Sequence, residues 1–224
     1  MNALPPRPRT DSIFLGLSAL GVACGLGLLV TDVLAARALA KEPSDSPVAA
    51  LRDSGTFAQR QTADEIFSIA FFVVVAMFLV WVFRRYKDFV RAGVPDLQRG
   101  PWWAVIDFLV PLVNLVLPFM VAEEIWSKSA RLAGRPEHES KGRRYTLSWW
   151  LTCLGAIVLT RISEHRVGGA LNAVDLGSAM QLTMLADLMR VAAVVLGAVL
   201  VAKVARFQPV VATPAVPEPA TALS

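Results

Sequence analysis

The chain has 224 residues, of which 55% are hydrophobic and 18% are charged, whereas ordinary soluble domains average about 45–50% and about 25%. This composition excludes an ordinary water-soluble domain and predicts an integral membrane protein. The formal net charge of +4 comes from Lys and Arg gathered in loops, without a basic helix interleaved with aromatic residues, so nucleic-acid binding is not expected.

The N-terminal part predicts a tail followed by a first membrane helix. Residues 1–12 contain three prolines and two arginines and are predicted to form a cytoplasmic tail. The apolar run 13–36 can cross about 30 Å of hydrocarbon at about 1.5 Å per residue. A cleaved signal peptide is the alternative, but its apolar part usually has about 7–15 residues, so a retained anchor is favoured.

Gly21 and Gly25, within this first run, have the small-xxx-small spacing that lets helices approach closely in lipid. Two interpretations are open: the general tolerance of membrane helices for glycine, and a seam for self-association.

Three further runs predict spanning helices, at residues 66–83, 145–162 and 183–205. The last run contains Asp187 and Arg190, whose i, i+3 spacing allows them to pair on one helix face and lowers the cost of placing both charges in lipid. We therefore predict a membrane helical domain at 13–206 and a disordered, Pro/Ala-rich tail at 207–224.

Residues 102–126 form a fifth apolar run, which is broken by Pro111, Asn114 and Pro118. A proline inside a helix removes a backbone donor and clashes with the preceding turn. Such a break is tolerated at membrane depth only where protein or a wet cavity satisfies the freed carbonyls. The run is either a kinked spanning helix or a segment that re-enters on the face from which it came.

The distribution of Lys and Arg separates these two topologies. If all five runs span with the N-terminus inside, the inner side holds 9 of the 22 basic residues and the outer side 12, against the positive-inside tendency. If the central run re-enters, the inner side holds 15 and the outer side 6, with Arg190 inside the last run. The second arrangement is favoured, with both termini cytoplasmic in the cell membrane.

The central run resembles a bacterial membrane family that is catalogued only as a domain of unknown function. The preceding helix end is similar too, so the resemblance covers residues 57–206, although Asp107 and Phe108 replace residues that are usually aromatic in the family. The resemblance implies no activity. The matching positions are Trp81, Arg84, Trp103, Pro111, Asn114, Leu115, Pro118, Glu124, Ile125 and Trp126.

A candidate polar site lies in the same run. Asp107, Pro111, Asn114 and Pro118 follow i, i+4, i+7 and i+11 spacing, which is one helix face. Either this face lines a small cavity with Asp107 as a proton or cation site, or Asp107 reaches headgroups or a loop arginine; the structural interpretation is favoured. Glu124, near Trp126, is expected to neutralise nearby arginines.

No motif in the chain predicts catalysis, a metal site or a cofactor. H-E-x-x-H, G-x-S-x-G and C-x-x-C are absent, and the two histidines lie in predicted loops. We expect an all-α membrane bundle of four spanning helices plus one Pro-broken re-entrant or kinked segment. Its expected role is a scaffold, sensor or accessory subunit acting through other membrane proteins, not an enzyme. The alternative is a small channel or proton-coupled carrier that uses Asp107 and Asn114.

Overall fold

The chain is an all-α helical bundle, as predicted. The computed structural model describes residues 8–43, 46, 48, 55–106, 108, 116–135 and 139–207. Four helices are long and apolar enough to cross a membrane, namely α1, α2, α5 and α6. The described helices are α1 (Pro8–Leu39), α2 (Gly55–Arg91), α3 (Pro101–Ile106), α4 (Leu117–Leu132), α5 (Glu139–Gly169) and α6 (Ala173–Ala205).

The spanning-length helices extend beyond the apolar runs that predicted them. Helix α1 begins at Pro8 and not at residue 13, since a proline in the first turn loses no intrahelical bond. Helix α5 begins at Glu139 and continues to Gly169, and so extends beyond both ends of the predicted run at 145–162. The hydropathy pattern identifies only the part of a helix that lies in lipid. Residues beyond that part can continue the helix, because each one adds a backbone hydrogen bond. The predicted tail at 207–224 lies outside the described residues except for Phe207.

Helix α1 packs against both α2 and α6, and α6 also packs against α5. Gly25 stands where three helices meet, because a Cβ atom there would collide with Val191 and lie 2.9 Å from the ring of Phe67. Gly21 faces Val74 in the same way. The small-residue seam is thus used inside the chain, where it allows close helix packing. Self-association through it stays a prediction.

The contacts between helix ends define two ends of the bundle. Asp11 at the start of α1 accepts hydrogen bonds from Trp81 Nε1 at 2.9 Å and from Arg85 at 2.8 Å, near the end of α2. At the same end, the start of α5 meets the end of α6, where Lys203 Nζ lies 4.6 Å from the ring of Tyr145. We call this the basic end and the opposite one the far end. Helix α1 therefore begins, and helix α6 ends, at the same end of the bundle.

Both short helices also lie at the basic end. Trp102 of α3 packs on Phe83, with ring centroids 4.8 Å apart, and Lys128 of α4 donates to the carbonyl of Pro95 at 2.8 Å. The basic stretches on either side of residues 102–126 thus share one end of the bundle. This geometry favours the segment that enters and leaves on one face over the kinked spanning helix.

The tryptophan and tyrosine residues are concentrated in the half of the bundle that contains the basic end. Trp102 and Trp103 are 70% and 64% exposed, beside the basic end, where indole rings suit the membrane boundary. Further inside, Phe78 forms the centre of an aromatic core that includes Phe14 and Trp149, with ring centroids 5.9 and 5.1 Å away. All six tryptophans and both tyrosines lie on segments in this half of the bundle.

Cysteine labelling tests this topology. In a background with Cys24→Ala and Cys153→Ala, we expect Arg91→Cys and Lys141→Cys to react with a membrane-impermeant maleimide from the same side of sealed vesicles. Leu171→Cys, at the far end, should react from the other side. Labelling of positions 91 and 141 from opposite sides would show that residues 102–126 cross the membrane.

The packing around Gly25 predicts a second result. Gly25→Ala should destabilise the bundle by about 1–3 kcal/mol, because the added methyl group overfills a packed junction. Gly27→Ala is the matched control, since a Cβ atom there has no neighbour within 4 Å. Thermal denaturation in detergent measures both variants, and equal melting temperatures would contradict the described packing.

Candidate functional site

The polar site predicted in the central run lies mostly outside the described residues, which include neither Asp107, Pro111 nor Asn114. Its proposed cavity, and with it the channel or carrier alternative, stays a prediction.

Pro118 has a different position from the one predicted. It lies in the first turn of α4, where the missing N–H has no intrahelical acceptor and the fixed φ suits the helix. Phe108 and Val116, the described residues between α3 and α4, are in turns. The helix face shared by Asp107, Pro111, Asn114 and Pro118 stays a prediction, because three of these residues lie outside the described part of the chain, whereas Pro118 lies at the start of a helix and not inside one.

Glu124 connects α4 to two other segments at the basic end. The Tyr86 hydroxyl donates to its Oε2 at 2.5 Å, and the backbone N–H of Gln98 donates to its Oε1 at 2.8 Å. Arg99 lies 4.0 Å from Oε2, so the carboxylate meets an arginine, as expected. Because Glu124 is only 7% exposed, these charge-assisted contacts replace the water it loses on burial.

Trp126 joins α4 to α5 and to the chain that follows α6. Its ring stacks on Tyr145 at 5.7 Å with an interplanar angle of 17°, and meets Phe207 edge-on at 5.3 Å. Gly142 lets the indole lie directly against the α5 backbone, because a Cβ atom there would overlap the ring. Together, Glu124 and Trp126 fix the position of α4 on the basic end.

A polar cleft opens beside Glu124, with a volume of about 590 Å³. Its charges are of both signs and include a loose pair in which Arg143 Nε lies 3.8 Å from Glu123 Oε1. Such a surface favours a partner with polar or charged groups over an apolar ligand. The lining residues are Asp96, Gln98, Met120, Glu123, Glu124, Ser127, Lys128, Arg131 and Arg143.

The pair predicted on the last helix is present at the far end, where Arg190 NH1 lies 3.0 Å from Asp187 Oδ1. It belongs to a larger set of charges. Arg60 of α2 reaches Asp187 Oδ2 at 3.4 Å and Asp32 Oδ1 of α1 at 2.7 Å, and Arg190 also binds Asp64 at 3.0 Å. We call this set, together with Ser68, which accepts from Arg190 at 2.9 Å, the far-end network.

Asp32 is 0% exposed, although it is a charged residue near the end of an apolar run. Burial of its carboxylate is possible because α2 begins at Gly55, which places Arg60 on a helix that packs against α1. One sequence signal could have found this site. Arg60, Asp64 and Ser68 follow i, i+4 and i+8 spacing, which is a polar stripe on one helix face.

The far-end network lies at the boundary of the lipid segment. The apolar run of α2 begins at Ile66 and contains one polar residue, Ser68, so Arg60 is about 9 Å before it along the helix axis. The Arg190 guanidinium lies 4.6 Å from the ring centroid of Phe67, where the ring face attracts a cation. Alternating charges therefore tie α1, α2 and α6 together where the bundle leaves the hydrocarbon. In the part of the chain that the structure describes, no three His, Cys, Asp or Glu side chains are grouped to hold a metal.

Four apolar helices of spanning length, closed by ion pairs at one end and by an interfacial helix at the other, define a multi-pass helical membrane protein. Residues 45–206 match the model of the family described as Domain of unknown function (DUF4328), and the chain belongs to this family. This match confirms the predicted resemblance. Neither a curated protein nor a solved structure matches the chain.

Removal of one cation tests the far-end network. Arg60→Gln should destabilise the protein by about 3–5 kcal/mol, the usual cost when a buried charge pair loses one partner, because Asp32 would be left without its cation. Arg161→Gln is the control, since its pair with Glu164 is exposed and such surface pairs contribute little. Thermal unfolding in detergent compares the two, and similar losses would contradict a special role for Arg60.

Proposed function

We propose that this protein is a non-enzymatic integral membrane protein that acts through partner proteins, as a scaffold, sensor or accessory subunit. The observation that carries the proposal is the charged cleft between α4 and residues 92–100 at the basic end. Helix α4 is held there by Glu124 and Trp126 without crossing the bundle. The segment therefore serves to build a surface, and the cleft lies on that surface.

The state of the buried acids supports a role without catalysis. Glu124 receives a hydroxyl and a backbone donor from its own chain, and Asp187 lies between two guanidinium groups. A general acid or base must be able to reach a substrate proton. Asp187 is instead buried among contacts that hold α1, α2 and α6 together, and Glu124, which lines the cleft, already accepts from two donors of its own chain.

The cleft has side chains that the bundle does not need for packing. The Arg143 side chain is 72% exposed and that of Glu123 is 35% exposed, and their separation leaves both able to pair with another molecule. A partner segment with polar and charged side chains fits this surface, since complementary charges give specificity and orientation to an interface.

The side of the membrane follows from the charges. Fifteen of the 22 Lys and Arg residues belong to segments at the basic end or to the residues that continue from it. Because basic loops are retained on the cytoplasmic side, we propose that the basic end faces the cytoplasm of the cell membrane. The partner would then approach from the cytoplasm or lie beside the bundle in that leaflet.

Site-specific photo-crosslinking tests this proposal. A photoreactive amino acid at Ser127, in the cleft, should give discrete adducts of defined mass in native membranes. The same group at Leu171, which is 82% exposed at the far end, is the matched control. Arg143→Glu, which reverses one charge on the cleft, should reduce the Ser127 adducts several-fold. Equal adduct patterns from positions 127 and 171, or no effect of Arg143→Glu, would refute a partner site in the cleft.

A further inference from the structure

Two buried carboxylates share one cation in the far-end network. Arg60 binds Asp32 Oδ1 through Nε at 2.7 Å and Asp187 Oδ2 through NH2 at 3.4 Å. The second oxygen of Asp32, Oδ2, is buried, and no described residue donates a hydrogen bond to it. An acceptor without a donor is costly in a site that excludes water.

The charges of the network do not balance when all its groups are ionised, because three carboxylates face two guanidinium groups. The Asp64 side chain is 39% exposed, so water can solvate its charge. The side chains of Asp32 and Asp187 are 0% and 4% exposed, so the excess negative charge falls on the pair that water cannot reach. The groups of the network come from three helices. They are Asp32 on α1, Arg60, Asp64 and Ser68 on α2, and Asp187 and Arg190 on α6.

We propose that the far-end network is a proton-binding site, in which one proton is shared between the Asp32 and Asp187 carboxylates. A proton on Asp187 provides the donor that Asp32 Oδ2 lacks and removes the repulsion between two like charges. The protonated pair joins α1 to α6 directly, with Arg60 beside it. Loss of the proton leaves two carboxylates competing for one guanidinium group, so the junction of α1, α2 and α6 responds to pH. This site is independent of the cleft at the basic end.

Infrared spectroscopy of the full chain in lipid vesicles tests the proposal. Protein labelled with ¹³C at the aspartate side-chain carboxyl should show, at neutral pH, a carboxylic-acid C=O band that shifts on labelling. Asp32→Asn and Asp187→Asn should each remove this band, whereas Asp175→Asn, which removes an exposed carboxylate on α6, should keep it. Asp64→Asn balances two carboxylates against two cations and should weaken the band at the same pH.

The labelled wild-type protein keeps the test valid even if a variant fails to fold. Absence of a label-sensitive acid band at neutral pH would overturn the proposal, as would a band that both Asp32→Asn and Asp187→Asn leave unchanged. A sodium ion could neutralise the same pair. A melting temperature that rises with NaCl but not with choline chloride, in protein without the acid band, would assign the site to sodium and overturn the proton assignment.

Discussion

The guanidinium group of Arg60 is the contact on which the arrangement of the spanning-length helices depends. It lies between a carboxylate on α1 and another on α6, so one side chain of α2 fixes the relative position of three helices. Apolar side chains cannot do this alone in a bilayer, because lipid tails solvate them as well as another helix does. Directional contacts and close packing must determine which faces meet, and the network and Gly25 provide both within two turns of α1.

At the basic end, different contacts fix the position of a helix on the bundle. Here α4 is held by aromatic stacking on Trp126 and by hydrogen bonds to one carboxylate, Glu124. Tryptophan and tyrosine combine an apolar ring with a polar atom, which suits the layer between hydrocarbon and water. Among the described residues, ion pairs between α1, α2 and α6 thus dominate the far end, whereas stacked rings hold α4 at the basic end beside the cleft.

Sequence reasoning predicted the fold because the bilayer restricts the possible structures so strongly. Apolar runs of sufficient length must be helices, and the count of Lys and Arg placed the stretches around residues 102–126 on one side, as the geometry has it. The extents of the helices were missed, since hydropathy says nothing about a helix after it leaves lipid.

The candidate sites were only partly predictable, for a different reason. Asp187 and Arg190 are close in sequence, and their pairing could be deduced from helical spacing. Asp32 and Arg60 belong to different helices, and their contact depends on how α1 docks on α2, which no local pattern contains. Pro118 was misread because a proline at the start of a helix and one inside it look alike until the helix boundary is known.

The family match begins at residue 45, whereas α1 ends at Leu39. The helix that fills the groove between α2 and α6 therefore precedes the matched region. Without it, Arg60 would lose its contact with Asp32, and the side chains of Val191 and Phe67 that pack at Gly25 would be uncovered. The matched region contributes both guanidinium groups and two of the three carboxylates of the network, Asp64 and Asp187, whereas the preceding helix contributes the third, Asp32, which is the most deeply buried of the three.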